Sequence, residues 1–376
     1  MKLLVNNEEL LLDGEDDKYL YPFIETLNTI KKSKSDLKVG YVVSMTSLRK
    51  TLKEVFDNIN GLKGSMVIKP GDVFKENYDI LIVDEAHRLM KRKNLTGYNT
   101  FDENNRKLGL GEQGTQLDWI TKKSQIQILF YDSEQTIKPT DVDQEKFVEL
   151  LNKEGNSIHT LSSQMRCMAG SDYIKYTKNI LNETQTMYVD FDDKYDFRIF
   201  DDIYDFTNEI YQKEKSEGLS RIVSGYGFEW KNKEVMKKLY NTSKAPETID
   251  SREIKDVLIG NKGFYWNRVS EGWVLSIENE KVKDEVGCIH TIQGYDLNYC
   301  GVIFGPEIVY RNNHIEIIRE NYHDKKGKAG IDDYQLKQYI INIYSVLLTR
   351  GIKGTYVYAC DDGLRDYLKK YIKTNK

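Results

Sequence analysis

Cysteine is scarce. Four thiols, Cys167, Cys288, Cys300 and Cys360, are spread over 376 residues with no pair at C-x-x-C spacing. A disulfide scaffold and a zinc ribbon are both excluded, and what remains is the pattern of reduced, buried thiols in a cytosolic protein. Five histidines stand singly, without an H-E-x-x-H helix, so no structural zinc site is expected. Long apolar runs are missing too. The longest, such as Ile80 to Val83, are strand-length, far short of the ~18 residues a membrane span requires. The first residues, MKLLVNNEELLLDGEDD, turn acidic too early for a secretory signal peptide. A cytoplasmic location without a membrane partner is the expectation. Positive charge is not in excess: 55 Lys and Arg against 59 Asp and Glu leave a net charge of −4, so any nucleic-acid groove has to be local.

What is present is a packed globular chain. Apolar residues make up 39% and charged residues 30%, which rules out a disordered or collagen-like chain. The length corresponds to roughly two domains at about 150 residues each, enough for sizeable cores. Short apolar runs alternate with amphipathic stretches. Val39 to Met45, Ser65 to Ile68, Asp79 to Val83 and Ile126 to Tyr131 read as strands, and 47–59 and 115–123 as helices. Strands apolar on both faces and separated by helices predict a parallel sheet covered on both sides. Helices are expected at 141–154 and 171–182, with a short strand Ile158 to Leu161 between them. Further strands are expected at 195–200, 220–224, 286–291, 300–304 and 354–359, and helices at 202–217, 332–349 and 362–372. The fold class is therefore α/β, with two domains, 1–155 and 156–376, and a helical connection over about 141–185. The polar stretch 94–114 reads as a long surface loop.

The sharpest chemical signal is ILIVDEAH, Ile80 to His87. An apolar strand runs directly into Asp84-Glu85, and strand ends of open parallel sheets are where ligands bind. Two adjacent carboxylates there can divide two tasks, one holding Mg²⁺ and the other orienting or deprotonating a water. The bland alternative is a strand that ends in solvated acids. Arg350 ends a long amphipathic stretch, with Gly351 as its C′ residue. There it either suits the helix dipole or reaches a phosphoryl group that carries negative charge. Gln293-Gly294 follows a strand, and it is either a plain turn or a contact to a phosphate or sugar.

Taken in order, these segments resemble a superfamily 1 helicase core. ILIVDEAHRL looks like a Walker B/DEAH motif, and ILFYDSEQTI (128–137) like the third helicase motif. LSSQMRC (161–167) resembles the fourth, IHTIQGYDLNYCGVIFG (289–305) the fifth and SVLLTRGIKGTYVYA (345–359) the sixth. The pairing of TIQG…GVI.G with LLTRG.KGTY is similar to the Schlafen-like DNA/RNA helicase domain family of bacteria and phages, and the likeness runs over roughly 38–370. It implies two RecA-like domains with ATP and Mg²⁺ in the cleft between them. Asp84 would hold the metal, Glu85 activate water and Gln135 sense the γ-phosphate. Arg166 and Arg350 would stabilise the transferring phosphoryl group, with Gln293, Gly294 and Thr349 beside the nucleotide. SMTSLRKTL after Val43 resembles the helicase motif that touches the nucleic-acid backbone, so Thr46, Ser47 and Arg49 become contacts to single-stranded DNA or RNA. Arg88, Lys91, Arg92 and Thr291 are further candidates, as are Lys93, Trp230, Lys231, Trp266 and Trp273. The resemblance further implies that relatives can carry accessory nuclease domains; with no room for one expected in this chain, a nuclease or another protein partner supplied in trans is a candidate partner.

One part departs from the pattern. A RecA-like NTPase opens with a strand, then G-x-x-x-x-G-K-[S/T], then a helix, because that loop's N–H groups, lysine and hydroxyl hold phosphates and Mg²⁺. Here Leu10 to Leu12 is the candidate strand and Pro22 to Lys32 the candidate helix. Between them, Gly14 to Tyr19 lacks the second glycine and the Ser/Thr; Lys18 alone could stand for the phosphate lysine. The functional expectation is an ATP-dependent nucleic-acid motor. The alternatives are a nucleic-acid-binding scaffold without turnover and, more remotely, a metal-dependent nuclease built on Glu229-Trp230-Lys231.

Overall fold

A computed structural model describes Thr29 and residues 37–160, 167–191, 194–230, 255–267, 284–292 and 295–375. These residues form two compact units. One holds the described residues up to Thr136 together with Thr140–Asn156. The other holds Ile137–Pro139 and the described residues from Ser157 onward. Lys18, Arg166, Lys231, Trp273, Gln293 and Gly294 lie outside the described residues.

The first unit contains β1 (Val39–Val43), α1 (Thr46–Asp57), β2 (Val67–Ile68), β3 (Tyr78–Asp84), α2 (Tyr98–Lys107), α3 (Gln116–Lys123), β4 (Ser124–Leu129) and α4 (Gln144–Leu151). Its sheet is parallel throughout, in the order β2-β1-β3-β4. The apolar run of β3 serves both faces. Leu81 and Val83 join Leu117 and Ile120 of α3 in one cluster, and Ile80 and Ile82 join Val39 in another. Helix α3 starts on a reciprocal cap in which Thr115 and Asp118 satisfy each other's backbone N–H groups.

Two expectations for this unit are corrected. The strand read at 126–131 runs over Ser124–Leu129 and is not covered on both faces: Ile126, Ile128 and Phe130 are 46%, 41% and 45% exposed. It is the last strand of the described sheet, so an interior-type sequence sits at an edge. The stretch 94–114 is not a loop throughout, because 98–107 is helix α2. Its buried side is Phe101, Asn104 and Asn105, and Asn105 Oδ1 accepts from the buried Trp119 Nε1 at 2.6 Å. A helix face built of asparagines leaves no apolar periodicity to read.

The second unit contains α5 (Gly170–Leu181), β5 (Asp196–Ile199), α6 (Ile203–Glu217), β6 (Ser220–Ser224), β7 (Val257–Ile259), β8 (Lys262–Trp266), β9 (Glu285–Gly287), α7 (Ile289–Ile292), β10 (Leu297–Phe304), β11 (Ile308–Arg311), β12 (His314–Ile317), α8 (Asp333–Leu348), β13 (Gly351–Ala359), α9 (Asp362–Leu368) and β14 (Lys373–Thr374). Eight strands run in the order β14-β5-β13-β10-β6-β9-β8-β7, parallel except for the β7-β8 pair. Alternate residues of the central strands feed opposite faces. Val302 and Val357 pack with Ile340 and Leu347 of α8, while Ile303 and Tyr358 pack with Phe206 and Ile210 of α6. An α/β fold with parallel sheets between helices is what the chain adopts.

Here too the local reading is adjusted. Residues 158–160 form no strand, and Ile158 is 67% exposed. The strand read at 286–291 stops at Gly287 and turns into α7, because the Thr291 hydroxyl binds the backbone of Cys288 and closes a helical turn. The β11-β12 hairpin was not anticipated. Asn312 and Asn313 both take positive φ at its tip, the conformation that closes a two-residue hairpin. Among the described residues no helix is long and apolar enough to cross a membrane, and all four cysteines are free thiols.

Candidate nucleotide site and its neighbours

In the first unit three sequence motifs meet at the carboxyl ends of three adjacent parallel strands. β1 pairs with β3 so that Val43 faces Asp84, and β3 pairs with β4 so that Val83 faces Leu129. Past the strands the contact continues: Phe130 N donates to Val83 O at 2.9 Å and Ala86 N to Phe130 O at 2.7 Å. The chain leaves β3 sharply, because Glu85 adopts left-handed backbone angles (φ 53°, ψ 49°). Such a conformation costs a non-glycine residue about 1–3 kcal/mol and is retained where the surroundings enforce it.

The side chains at this edge are tightly placed. Asp84 Oδ2 accepts from Tyr41 Oη at 3.2 Å. Burial, and then the neighbouring Glu85, push the Asp84 carboxyl above its ordinary value, and burial with Asp84 raises the Tyr41 phenol. Glu85 Oε2 lies 2.8 Å from Nε2 of His87, which is 2% exposed. The His87 ring meets Tyr131 edge-on, and Tyr131 stacks on Phe147 of α4 at 4.1 Å. Burial pushes the Tyr131 phenol up to about 12. In the next turn Gln135 Nε2 donates to Asp132 Oδ2 at 2.8 Å.

Several buried polar atoms at this edge have no hydrogen-bond partner among the described residues: Ser44 Oγ, His87 Nδ1, Tyr131 Oη and Gln135 Oε1. Unsatisfied buried groups are few in folded proteins and mark places where water or a ligand belongs. Two adjacent carboxylates, of which Glu85 makes the ionisation of Asp84 costlier, also suit a hard cation. Among the described residues no three His, Cys, Asp or Glu side chains form a closed metal cage. Tyr41, Ser44, His87 and Tyr131 were not singled out from the sequence. Of these only His87, two residues past Glu85, carried a local hint.

The second unit gathers its motifs at the amino ends of β10 and β13. Leu297 N donates to Arg350 O at 3.0 Å, and Met168 N, two residues past Arg166, donates to Ile352 O at 3.0 Å. Buried hydroxyls clamp this junction. Tyr173 Oη and Thr355 Oγ1 donate to Leu348 O at 2.9 and 3.0 Å, and Tyr195 Oη donates to Gly351 O at 3.1 Å. Arg350 is 2% exposed and directs Nε toward Val346 O at 3.3 Å; Thr349 Oγ1 donates back to Val346 O at 3.0 Å. The Thr349 hydroxyl and Arg350 Nε thus both reach back into the last turn of their own helix.

The expected nucleic-acid contacts are largely engaged inside the molecule. Arg49 Nη1 donates to Val43 O at 3.1 Å, closing the end of β1. Arg92 forms a two-point pair with Asp102, at 2.6 and 2.9 Å, and lies over the Tyr98 ring. Lys91 pairs with Asp143. Arg88 is half-buried. The Thr291 hydroxyl donates to Cys288 O at 2.7 Å and accepts from Cys288 N at 2.8 Å, and the residue is buried. Both of these contacts lie within its own turn. Trp266 is also core, at 1% exposure. The backbone of Thr46 and Ser47 opens α1, directly past the end of β1.

Comparison with known proteins places the chain. The model of a family described as "Schlafen group 3, DNA/RNA helicase domain" matches residues 22–361. The uncharacterized protein YPL245W of Saccharomyces cerevisiae is 27% identical over 389 aligned positions, covering 93% of this chain and 79% of that protein. A solved structure described as the basis for DNA unwinding at forked double-stranded DNA by two coordinating Pif1 helicases aligns over 92% of both chains, at 10% identity and a TM-score of 0.26. The family match spans nine-tenths of the sequence, and this chain belongs to the Schlafen group 3 DNA/RNA helicase domain family.

Proposed function

We propose that this helicase-domain protein hydrolyses ATP and couples the reaction to single-stranded DNA or RNA. One observation carries the reading: DEAH, YDSEQ and the stretch after β1 share the carboxyl edge of one parallel sheet, and unsatisfied buried polar atoms collect there. Asp84 would hold Mg²⁺, which when bound neutralises phosphate charge. Glu85 takes the proton of the attacking water, with its carboxylate held beside His87. Gln135, anchored through its amide nitrogen on Asp132, keeps its carbonyl oxygen to accept from that water as it attacks the γ-phosphate. The assignment of Arg166 and Arg350 to the phosphoryl group rests on motif order, as does that of Gln293, Gly294 and Thr349 to the nucleotide.

A second reading has its own support. Gly14 to Tyr19 lacks the second glycine and the Ser/Thr hydroxyl of a phosphate loop, which favours a scaffold that binds nucleic acid without turnover. ATP hydrolysis by the purified chain, with and without single-stranded DNA and RNA and beside Glu85→Gln, separates the two. Turnover that nucleic acid stimulates and Glu85→Gln lowers by at least about 100-fold supports the motor. Nucleic-acid binding with no turnover supports the scaffold.

A further inference from the structure

The second unit holds a buried acid that no motif uses. At the carboxyl edge of its sheet, β6 runs out into Gly225-Tyr226-Gly227 and β10 into Gly305-Pro306-Glu307. The two strands are parallel neighbours with Ser224 opposite Ile303, so the turns lie side by side. Glu307 is 0% exposed. Its Oε1 accepts from Tyr344 Oη of α8 at 2.6 Å, and that hydroxyl oxygen in turn accepts from Gly305 N at 2.9 Å. Its Oε2 has no hydrogen-bond partner among the described residues. The Tyr344 ring stacks on Phe304 at 4.3 Å. Three glycines form the cage. A Cβ on Gly225 would lie 2.5 Å from Oε1, and a Cβ on Gly227 or Gly305 would overlap Oε2. The carboxyl occupies the room that three side chains would need.

We propose that Glu307 is a proton-operated latch: as a neutral acid it locks the turn after β6, the turn after β10 and helix α8 together, and loss of its proton loosens the two glycine turns. A neutral carboxyl needs little solvation and fits the cage. A carboxylate with one donor is strongly under-solvated, and the relief open to it is water admitted through turns that glycine makes pliable. Burial accordingly pushes this carboxyl up to about 7. The other ionisable groups that face it are Tyr344 from α8, Tyr322 from the segment after β12, and Cys360 at the end of β13. Burial raises all three, Cys360 to about 12, so none of them titrates near neutrality. His323, whose backbone N–H donates to Tyr226 O at 2.8 Å, is held below the usual histidine range by burial.

The signs separate the two groups. A raised carboxyl contributes stability below its ordinary value, and that contribution is lost as pH rises through about 7. A lowered histidine contributes stability that is lost as pH falls. Only the alkaline limb therefore belongs to Glu307.

The test is a ¹³C-carboxyl NMR titration of the full chain, with amide exchange at Gly225, Gly227 and Gly305, in wild type and Glu307→Gln. The expected result is one glutamate resonance that titrates near pH 7 and is missing from the variant. Exchange at the three glycines, corrected for its intrinsic pH dependence, should rise about tenfold from pH 6 to 8.5 in wild type and stay flat in the variant. A carboxyl that titrates below pH 5, or identical exchange profiles, overturns the proposal. Should Glu307→Gln fail to fold, Tyr344→Phe decides. Loss of the donor that favours the ionised form should move the same resonance to higher pH, and a resonance that does not move overturns the latch.

Discussion

Glu85 stands in left-handed backbone next to a buried histidine, and this one residue combines what the chain spells out with what it conceals. The DEAH and YDSEQ strings were legible because their chemistry is local: a strand, a turn and a carboxylate within eight residues. The 2.8 Å approach of His87 to Glu85 was not, since it depends on the turn that the strained residue makes. Glu85→Gln should lower ATP turnover by at least about 100-fold while nucleic-acid affinity is unchanged, checked by steady-state kinetics and fluorescence anisotropy. An equal loss of both would show that the residue holds the fold rather than the water. Gly351 makes a purely steric case. A Cβ there would overlap the carbonyl oxygen of Gly354 and come within 2.8 Å of Tyr195 Oη. Gly351→Ala should cost about 1–3 kcal/mol in urea unfolding, and an unchanged midpoint would mean that the turn relaxes freely.

Elements with apolar periodicity were readable almost residue by residue, and those without it were not. Helix α2 escaped because its inward face is Phe101 with two asparagines, and polar residues read as loop until a partner is seen for them. The partner is Trp119, twelve residues past the helix end. Asn105→Leu removes the acceptor of a buried indole N–H and should destabilise the first unit by about 1–3 kcal/mol, with a shift in tryptophan emission. Retained stability would mean that the indole finds another acceptor. β4 erred the other way. Its residues are those of a strand covered on both sides, yet it ends the described sheet with Ile126 and Ile128 exposed. Sequence pattern reports what a strand can bury, and strand order decides what it does bury.

Charge acts at the scale of the whole molecule. With a net charge of −4, the chain can hold a polyanion only where cations are locally unopposed. Lys91 and Arg92 follow the DEAH string, but each is matched by an acid, Asp143 and Asp102. If the region past β3 tracks nucleic acid, Asp102→Asn with Asp143→Asn should tighten binding and steepen its dependence on salt by about one unit of slope per freed cation. Binding with unaltered salt dependence would remove these two residues from the path. The same division between near and far runs through the protein. The central strands and the main amphipathic helices, the α/β class and the helicase motifs were legible in the chain, because periodicity and short motifs are properties of neighbouring residues. Long-range pairing alone decided that three motifs share one sheet edge and that three glycines enclose Glu307. Burial and hydrogen bonding there join residues far apart in the chain, as Gly225 and Tyr344 are, and no local pattern records which of them will meet.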